Sequence, residues 1–173
     1  MVPQLITGAL AALLLAGPAI AQTPAAPPAS AAPALAASVT VTGPDGRSAV
    51  VTAADLRDMR RYSVTVAWGG GHTYAGAAVS DLLAEVGAPS EVRLHGPPLD
   101  QVVIVKGRDG FIAVLAIAET AMSFKGQPVI LADTEDGQPL NDKEGPYRLV
   151  IGGELKPPRS VWGVVSVELR PIK

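Results

Sequence analysis

A stretch of alanine and proline near the start of the chain sets the main limit on what this sequence can fold into. Twelve of the sixteen residues from 22 to 37 are Ala or Pro, and Leu35 is the only large apolar residue among them. Proline removes backbone N–H donors, and a segment without large apolar side chains has little to bury. We therefore predict a disordered linker over residues 22–37 and one folded domain over residues 38–173, a length that suits a single core.

The residues before this linker have the features of an export signal. An apolar run at 5–15 is followed by Gly17, Pro18 and the triplet Ala19-Ile20-Ala21, which fits an A-x-A cleavage site. The run is shorter than the roughly 20 apolar residues of a membrane-spanning helix. No Lys or Arg precedes it, and a buried N-terminal helix is the alternative. We predict a signal peptide over residues 1–21 and a mature protein that is periplasmic or secreted, without a stable membrane anchor after cleavage.

The composition narrows the possible chemistry. The 173-residue sequence has no cysteine, which excludes disulfides, thiolate metal ligands and haem attachment through Cys-x-x-Cys-His. The formal net charge is −2 and no block of like charge occurs. We therefore expect neither nucleic acid nor an anionic membrane surface as a partner.

Short alternating runs separated by turn residues dominate the rest of the sequence, which predicts a mixed, strand-rich α+β fold with short helices. Thr52 with Asp55 predicts the N-cap of a helix that continues through Met59. The apolar run at 129–132 predicts a strand covered on both faces. A hairpin is expected between the strand at 62–68 and residues 72–74. The other predicted strands are 38–42, 91–94, 101–105, 111–115, 147–151 and 164–169, and one or two helical turns are expected at 118–122.

His72 and His95 are the two histidines of the chain and the weak candidates for metal ligands. Neither has a partner at a recognisable ligand spacing, so a metal site would need the fold to bring both together with Asp or Glu. Two independent polar loop residues are the favoured interpretation. No catalytic residue is assigned, because no G-x-S-x-G motif supports a serine nucleophile.

A basic segment near the end of the chain is the main candidate binding site. Arg148 interrupts an apolar strand, and Lys156 and Arg159 follow in a Gly/Pro-rich loop beside Trp162. Arginine can clamp a phosphate through two hydrogen bonds and tryptophan can stack on a planar group, which suits an anionic ligand such as a pterin phosphate. The alternative is that Arg148 pairs with a nearby carboxylate while Lys156 and Arg159 are solvated.

Four segments, in order, resemble motifs of the molybdopterin-dependent oxidoreductases of the sulfite oxidase type. Residues 74–83 are similar to Tyr-x-Gly-x-x-Leu-x-Asp-Leu-Leu, and residues 106–111 resemble the Ala-x-Asp-Gly-Tyr strand pair. Residues 129–140 are similar to Leu-Leu-Ala…Gly-x-Pro-Leu, and residues 145–150 match Gly-Pro-x-Arg-Leu-Val. The resemblance implies a sulfite-oxidase-like molybdopterin-binding fold, and it implies that Arg148, Lys156 and Arg159 approach the phosphate of the pterin cofactor.

The missing cysteine separates this chain from the enzymes of that family, which hold molybdenum partly through a cysteine thiolate. The chain therefore resembles a small exported branch in which the fold persists without that metal ligand. We expect a domain that binds a pterin-type or other anionic ligand in a periplasmic redox system, with molybdenum doubtful and catalysis unassigned. The partner would be a small anionic ligand or a redox protein. The alternative is a non-catalytic protein-interaction module with a vestigial cleft.

Overall fold

Two five-stranded sheets organise residues 37–172, the part of the chain that the computed structural model describes. The predicted signal peptide and all but the last residue of the predicted linker lie outside these described residues. The strands are β1 (Ser38–Thr42), β2 (Ser48–Thr52), β3 (Arg61–Val66), β4 (His72–Ala78), β5 (Gln101–Gly107), β6 (Ile112–Ala116), β7 (Val129–Glu135), β8 (Gln138–Pro139), β9 (Arg148–Ile151) and β10 (Val164–Pro171). The helices are α1 (Ala53–Asp58), α2 (Val79–Ala84), α3 (Ile117–Thr120) and α4 (Met122–Lys125), with 3-10 turns at Trp68–Gly70, Glu91–Arg93 and Pro97–Leu99.

The first sheet has the strand order β2-β1-β10-β5-β6 and joins the two ends of the described chain. β1 pairs in parallel with β10, whereas the other pairs in this sheet are antiparallel. The second sheet places β7 between β4 on one side and β8 and β9 on the other. This mixed arrangement with four short helices confirms the predicted strand-rich α+β class.

Local sequence signals account for several of these elements. Thr52 accepts a hydrogen bond from the backbone N–H of Asp55, and the Asp55 carboxylate accepts one from the N–H of Thr52 at 2.8 Å. This reciprocal capping box starts α1 where the sequence predicts it. The hairpin between β3 and β4 is also confirmed, although β3 ends at Val66 and Trp68 begins a 3-10 turn.

The predicted strand at 91–94 is wrong, because these residues form a 3-10 turn. The N–H of Arg93 donates to the carbonyl of Ser90, and the Glu91 carboxylate accepts from the N–H groups of Met122 and Ser123. Glu91 thus caps the first turn of α4, which ties these residues to a helix instead of to a sheet. The expected helical turns near residue 120 are confirmed as α3 and α4.

The middle of the second sheet, where β9 pairs with the first half of β7, is buried on both faces, and this positions the candidate site. The first four residues of β7 are fully buried, as the sequence predicts. A large core lies between the sheets, and a smaller apolar cluster covers the other face of the second sheet. The smaller cluster contains Val64, Val66, Tyr74, Ile130, Ala132 and Val150, with Tyr62, Trp68 and Leu140 packed against it.

Gly76 in β4 lies where the backbone of this strand comes very close to the backbone of β7. β4 shifts its register against β7 between Ala75 and Gly76. A Cβ atom at Gly76 would lie 1.9 Å from the carbonyl oxygen of Leu131. Only glycine allows this approach of two backbones, which gives the glycine of the Tyr-x-Gly motif a structural reason. None of the helices in residues 37–172 is long and apolar enough to cross a membrane.

Candidate functional site

A cavity of about 340 Å³ opens above the smaller apolar cluster of the second sheet. We refer to it as the tryptophan cavity, because both tryptophans of the chain, Trp68 and Trp162, line it. Its volume is at the lower end of the range for small-molecule sites. The other lining residues are Gly69, His72, Tyr74, Glu135, Glu144, Arg148, Pro157 and Ser160.

Arg148, the first residue of β9, forms the floor of this cavity. Its side chain is only 4 % exposed, and it forms a buried ion pair with Glu144. Nε donates to the hydroxyl of Ser160 at 2.8 Å and Nη1 donates to the hydroxyl of Tyr74 at 2.8 Å. Among the described residues, Nη2 has no hydrogen-bond partner. A charged donor group thus remains available at a cavity wall, although the charge is already balanced by Glu144.

Three aromatic rings surround the Arg148 guanidinium. Its central carbon lies 4.9 Å from the ring centre of Trp68, 4.8 Å from that of Tyr74 and 5.6 Å from that of Trp162. These distances are in the range of cation–π attraction. The indole Nε1 of Trp68 is buried and has no hydrogen-bond partner in the described part of the chain. An unpaired buried donor costs free energy, so this N–H is a second group that an acceptor on a ligand could satisfy.

A hydrogen-bonded chain of polar groups connects the cavity floor to the surface. The Tyr74 hydroxyl donates to Glu135 at 2.7 Å, and Nδ1 of His72 lies 3.3 Å from the same carboxylate. Burial, followed by the hydrogen bond to Glu135, raises the pKa of Tyr74. The phenol therefore stays protonated at neutral pH and acts as a hydrogen-bond donor.

His72 faces acceptors on both of its ring nitrogens. Nδ1 lies 2.7 Å from the Asp136 carboxylate, and Nε2 lies 3.0 Å from the carbonyl oxygen of Gly69. Only the imidazolium form donates to both. The hydrogen bond with Asp136, followed by the one with Gly69, raises the pKa of His72. The N–H of Thr73 and then His72 hold the pKa of Asp136 below its ordinary value.

The structure brings together Arg148 and Trp162 of the predicted binding residues, but not the other two. Lys156 is exposed and is not among the lining residues. Arg159 lies outside the lining and contacts two carboxylates, donating from Nε to Glu154 at 2.8 Å and from Nη2 to Glu119 at 3.0 Å. Glu119 has a lowered pKa, and Arg159 is a main cause of it.

The two candidate metal ligands also lie in different settings. His72 lines the tryptophan cavity, whereas His95 is exposed and outside it. The described residues contain no group of three or more His, Asp or Glu side chains that could hold a metal ion.

The sequence predictions did not include Trp68, Tyr74, Glu135, Glu144 or Ser160 as site residues. Tyr74 belongs to a recognised motif, and its position in that motif was the available signal. Trp68 lies directly before three glycines, which predict a turn but do not indicate what the Trp68 side chain contacts. Glu135 reaches Tyr74 only because β4 and β7 pair with these two residues opposite each other.

Two larger cavities flank α2, but they have fewer polar groups without a partner that a ligand could bind. One of about 440 Å³ lies between α2 and the α3–α4 pair, and one of about 650 Å³ lies beside β2 and α1. Both include Arg60 and Asp81 in their lining. No buried, unpartnered polar atom of the described residues belongs to either lining, whereas Trp68 contributes one to the tryptophan cavity. The tryptophan cavity is therefore the stronger candidate.

This chain is similar in fold to a protein of known structure. No family model matches the chain, and no curated protein matches it. Among solved structures, the crystal structure of the sulfane dehydrogenase SoxCD from Paracoccus pantotrophus is similar, with a TM-score of 0.57 and 20% sequence identity. The match covers 77% of this chain and 38% of that chain, so this chain spans well under half of the length of its structural neighbour. The likeness shows a shared fold, and it confirms the predicted sulfite-oxidase-like α+β architecture.

Proposed function

We propose that this protein binds a planar, acceptor-bearing small molecule of the pterin type in the tryptophan cavity. The observation that carries this proposal is a pair of donors without a hydrogen-bond partner among the described residues, Nη2 of Arg148 and the buried Nε1 of Trp68. Both residues line the cavity together with Trp162. Ring nitrogens and carbonyl oxygens of a pterin would accept from these donors. Stacking on tryptophan would favour a flat ligand.

The charges of the cavity indicate which part of such a ligand fits there. Arg148 is balanced by Glu144, and Glu135 adds a second carboxylate to the lining. An uncharged ring suits this setting better than a phosphate does. We keep Lys156 and Arg159 as the proposed partners of the anionic part of the ligand. To bind it, Arg159 would have to give up its ion pair with Glu119 or with Glu154.

The residues fit the ring of a molybdopterin-type cofactor better than they fit its metal. The chain has no cysteine to supply a thiolate, so we do not assign molybdenum chemistry to it. When bound, a pterin cofactor would supply redox chemistry. The contribution of this chain is to hold the ring through Arg148 and Trp68 and to keep the Tyr74 proton in place.

The proposed setting is a periplasmic redox system reached by export. It is supported by the apolar run and the Ala19-Ile20-Ala21 triplet at the start of the sequence. Intact mass of the protein recovered from the periplasm tests this part. Cleavage after Ala21 is expected, and a cytoplasmic protein of full chain mass would contradict it.

Calorimetric titration with 6-carboxypterin tests ligand binding. The variant Trp68→Phe keeps an aromatic ring and removes the Nε1 donor, and we expect about tenfold weaker binding, which is the effect of one hydrogen bond. Arg47→Ala is the matched control, because Arg47 is an exposed cation outside the lining and is not a proposed ligand partner. Binding that Trp68→Phe leaves unchanged, or that Arg47→Ala weakens equally, would contradict the proposed location. No binding to the wild type at millimolar concentration would reject the proposal.

A further inference from the structure

The outer edge of the first sheet is an apolar strand with none of the usual protection. β6 is the last strand in the order β2-β1-β10-β5-β6, and β5 is its one partner among the described residues. Edge strands normally carry lysine, proline or a bulge that prevents pairing with another chain. Residues 110–118 contain no charged residue and no proline. The exposed residues of β6 are Ile112, at 51%, Val114, at 50%, and Ala116.

The hydrogen bonds around β6 show which backbone groups are directed away from the sheet. Gly107 donates to the carbonyl of Phe111, which sets the phase of the β5–β6 ladder. The alternation of an antiparallel pair then places the N–H and C=O groups of Ile112 and Val114 on the free side. Ala116 confirms this phase, because its N–H donates to the Glu119 carboxylate at 2.8 Å instead of to β5.

We propose that β6 pairs with β6 of a second copy of this chain, in antiparallel orientation, to form a symmetric dimer with one continuous sheet. The free groups of Ile112 and Val114 are self-complementary, since Ile112 of each copy can exchange two hydrogen bonds with Val114 of the other. This arrangement pairs every free group of the two residues and centres the two-fold axis on Ala113. A register that places Val114 opposite itself would require Ala116, which Glu119 and the start of α3 already engage.

The side chains also favour a second copy as the occupant. Across the axis, Ile112 and Val114 of one copy would lie beside Val114 and Ile112 of the other on the exposed face of the sheet. On β5, Val102, Ile104 and the exposed Lys106 border this face, opposite Ala116, Val114 and Ile112 in that order. An uncharged strand is matched by an identical uncharged strand, whereas a charged peptide would bring unpaired charges next to these side chains.

The other edge of the same sheet provides a matched control. Val50 in β2 is 63% exposed on an edge strand, but β2 has polar residues, Ser48 and Thr52, at both ends. Val114→Lys and Val50→Lys introduce the same charge at an exposed apolar edge position opposite an uncharged residue, Ile104 and Thr40 respectively, and each occurs twice in a symmetric dimer. We expect sedimentation equilibrium to give twice the chain mass for the wild type and for Val50→Lys. We expect at least about a tenfold weaker dimer for Val114→Lys.

Cross-linking tests the register, because the chain has no native cysteine. Ala113 would face Ala113 of the second copy in a non-hydrogen-bonded pair, with Cα atoms about 4.5 Å apart, which a disulfide can span. Ala113→Cys should form a covalent dimer on oxidation, and Val114→Cys should do so much less because it faces Ile112. A wild type that stays monomeric at several hundred micromolar would overturn the proposal. So would a dimer that is insensitive to Val114→Lys and not cross-linked through Ala113→Cys.

Discussion

Replacing Arg148 with methionine is the most informative perturbation of the site, because the change removes one member of a buried ion pair. The side chain of Arg148 is 4 % exposed and that of Glu144 is 17 % exposed. Methionine keeps the apolar stem but leaves Glu144 without its cation and removes the donors to Tyr74 and Ser160. Breaking a buried pair from one side costs about 3–5 kcal/mol, so we expect a loss of unfolding free energy in that range.

Urea denaturation of the single and double variants measures this cost. Glu144→Gln in the Arg148→Met background removes the uncompensated charge, and the double variant should lose at least about 1 kcal/mol less than the sum of the two single losses. Arg170→Met is the control, since its ion pair with Glu168 is exposed and should contribute at most about 1 kcal/mol. A loss below about 1 kcal/mol for Arg148→Met, or strict additivity in the cycle, would refute the interpretation of a coupled buried pair.

Three further predictions concern other parts of the described chain. NMR titration should give His72 a pKa above its ordinary value, and Asp136→Asn should lower it. The stability from this pair is fully present between about pH 4 and pH 6.5; it is lost as the pH rises through the folded-state pKa of His72 or falls through that of Asp136. A pH-independent stability difference between the wild type and Asp136→Asn would contradict this. Thr52→Ala should cost about 1 kcal/mol in urea denaturation through loss of the α1 cap, and no loss would count against the capping box. Gly76→Ala should cost about 3 kcal/mol, because its Cβ would clash with the Leu131 carbonyl, and a thermal midpoint equal to that of the wild type would exclude this close approach.

The sequence was sufficient where the determining contacts are local. The capping box of Thr52 lies within four residues, and the burial of β7 follows from its uninterrupted apolar residues. Arg148 could be recognised as unusual because it interrupts an apolar strand. Its pairing with a nearby carboxylate was one of the two interpretations that the sequence left open, and the structure shows that pairing with Glu144.

The remaining features depend on contacts between residues that are distant in the sequence. Tyr74 meets Glu135 through the β4–β7 register and meets Arg148 from a third strand. Trp68 reaches Arg148 through a 3-10 turn that the glycines alone did not predict. The alternation at 91–94 suggested a strand, but the Glu91 carboxylate instead caps α4, a contact across about thirty residues of sequence.

The protein isolated from its native compartment gives the most direct test of the proposed ligand. Native mass spectrometry together with absorbance and elemental analysis would detect a bound pterin and any metal. The expected result is an added mass with pterin absorbance that is retained in Arg47→Ala and reduced in Trp68→Phe. A colourless, molybdenum-free protein of bare chain mass that also fails to bind 6-carboxypterin would contradict the proposed role of the tryptophan cavity.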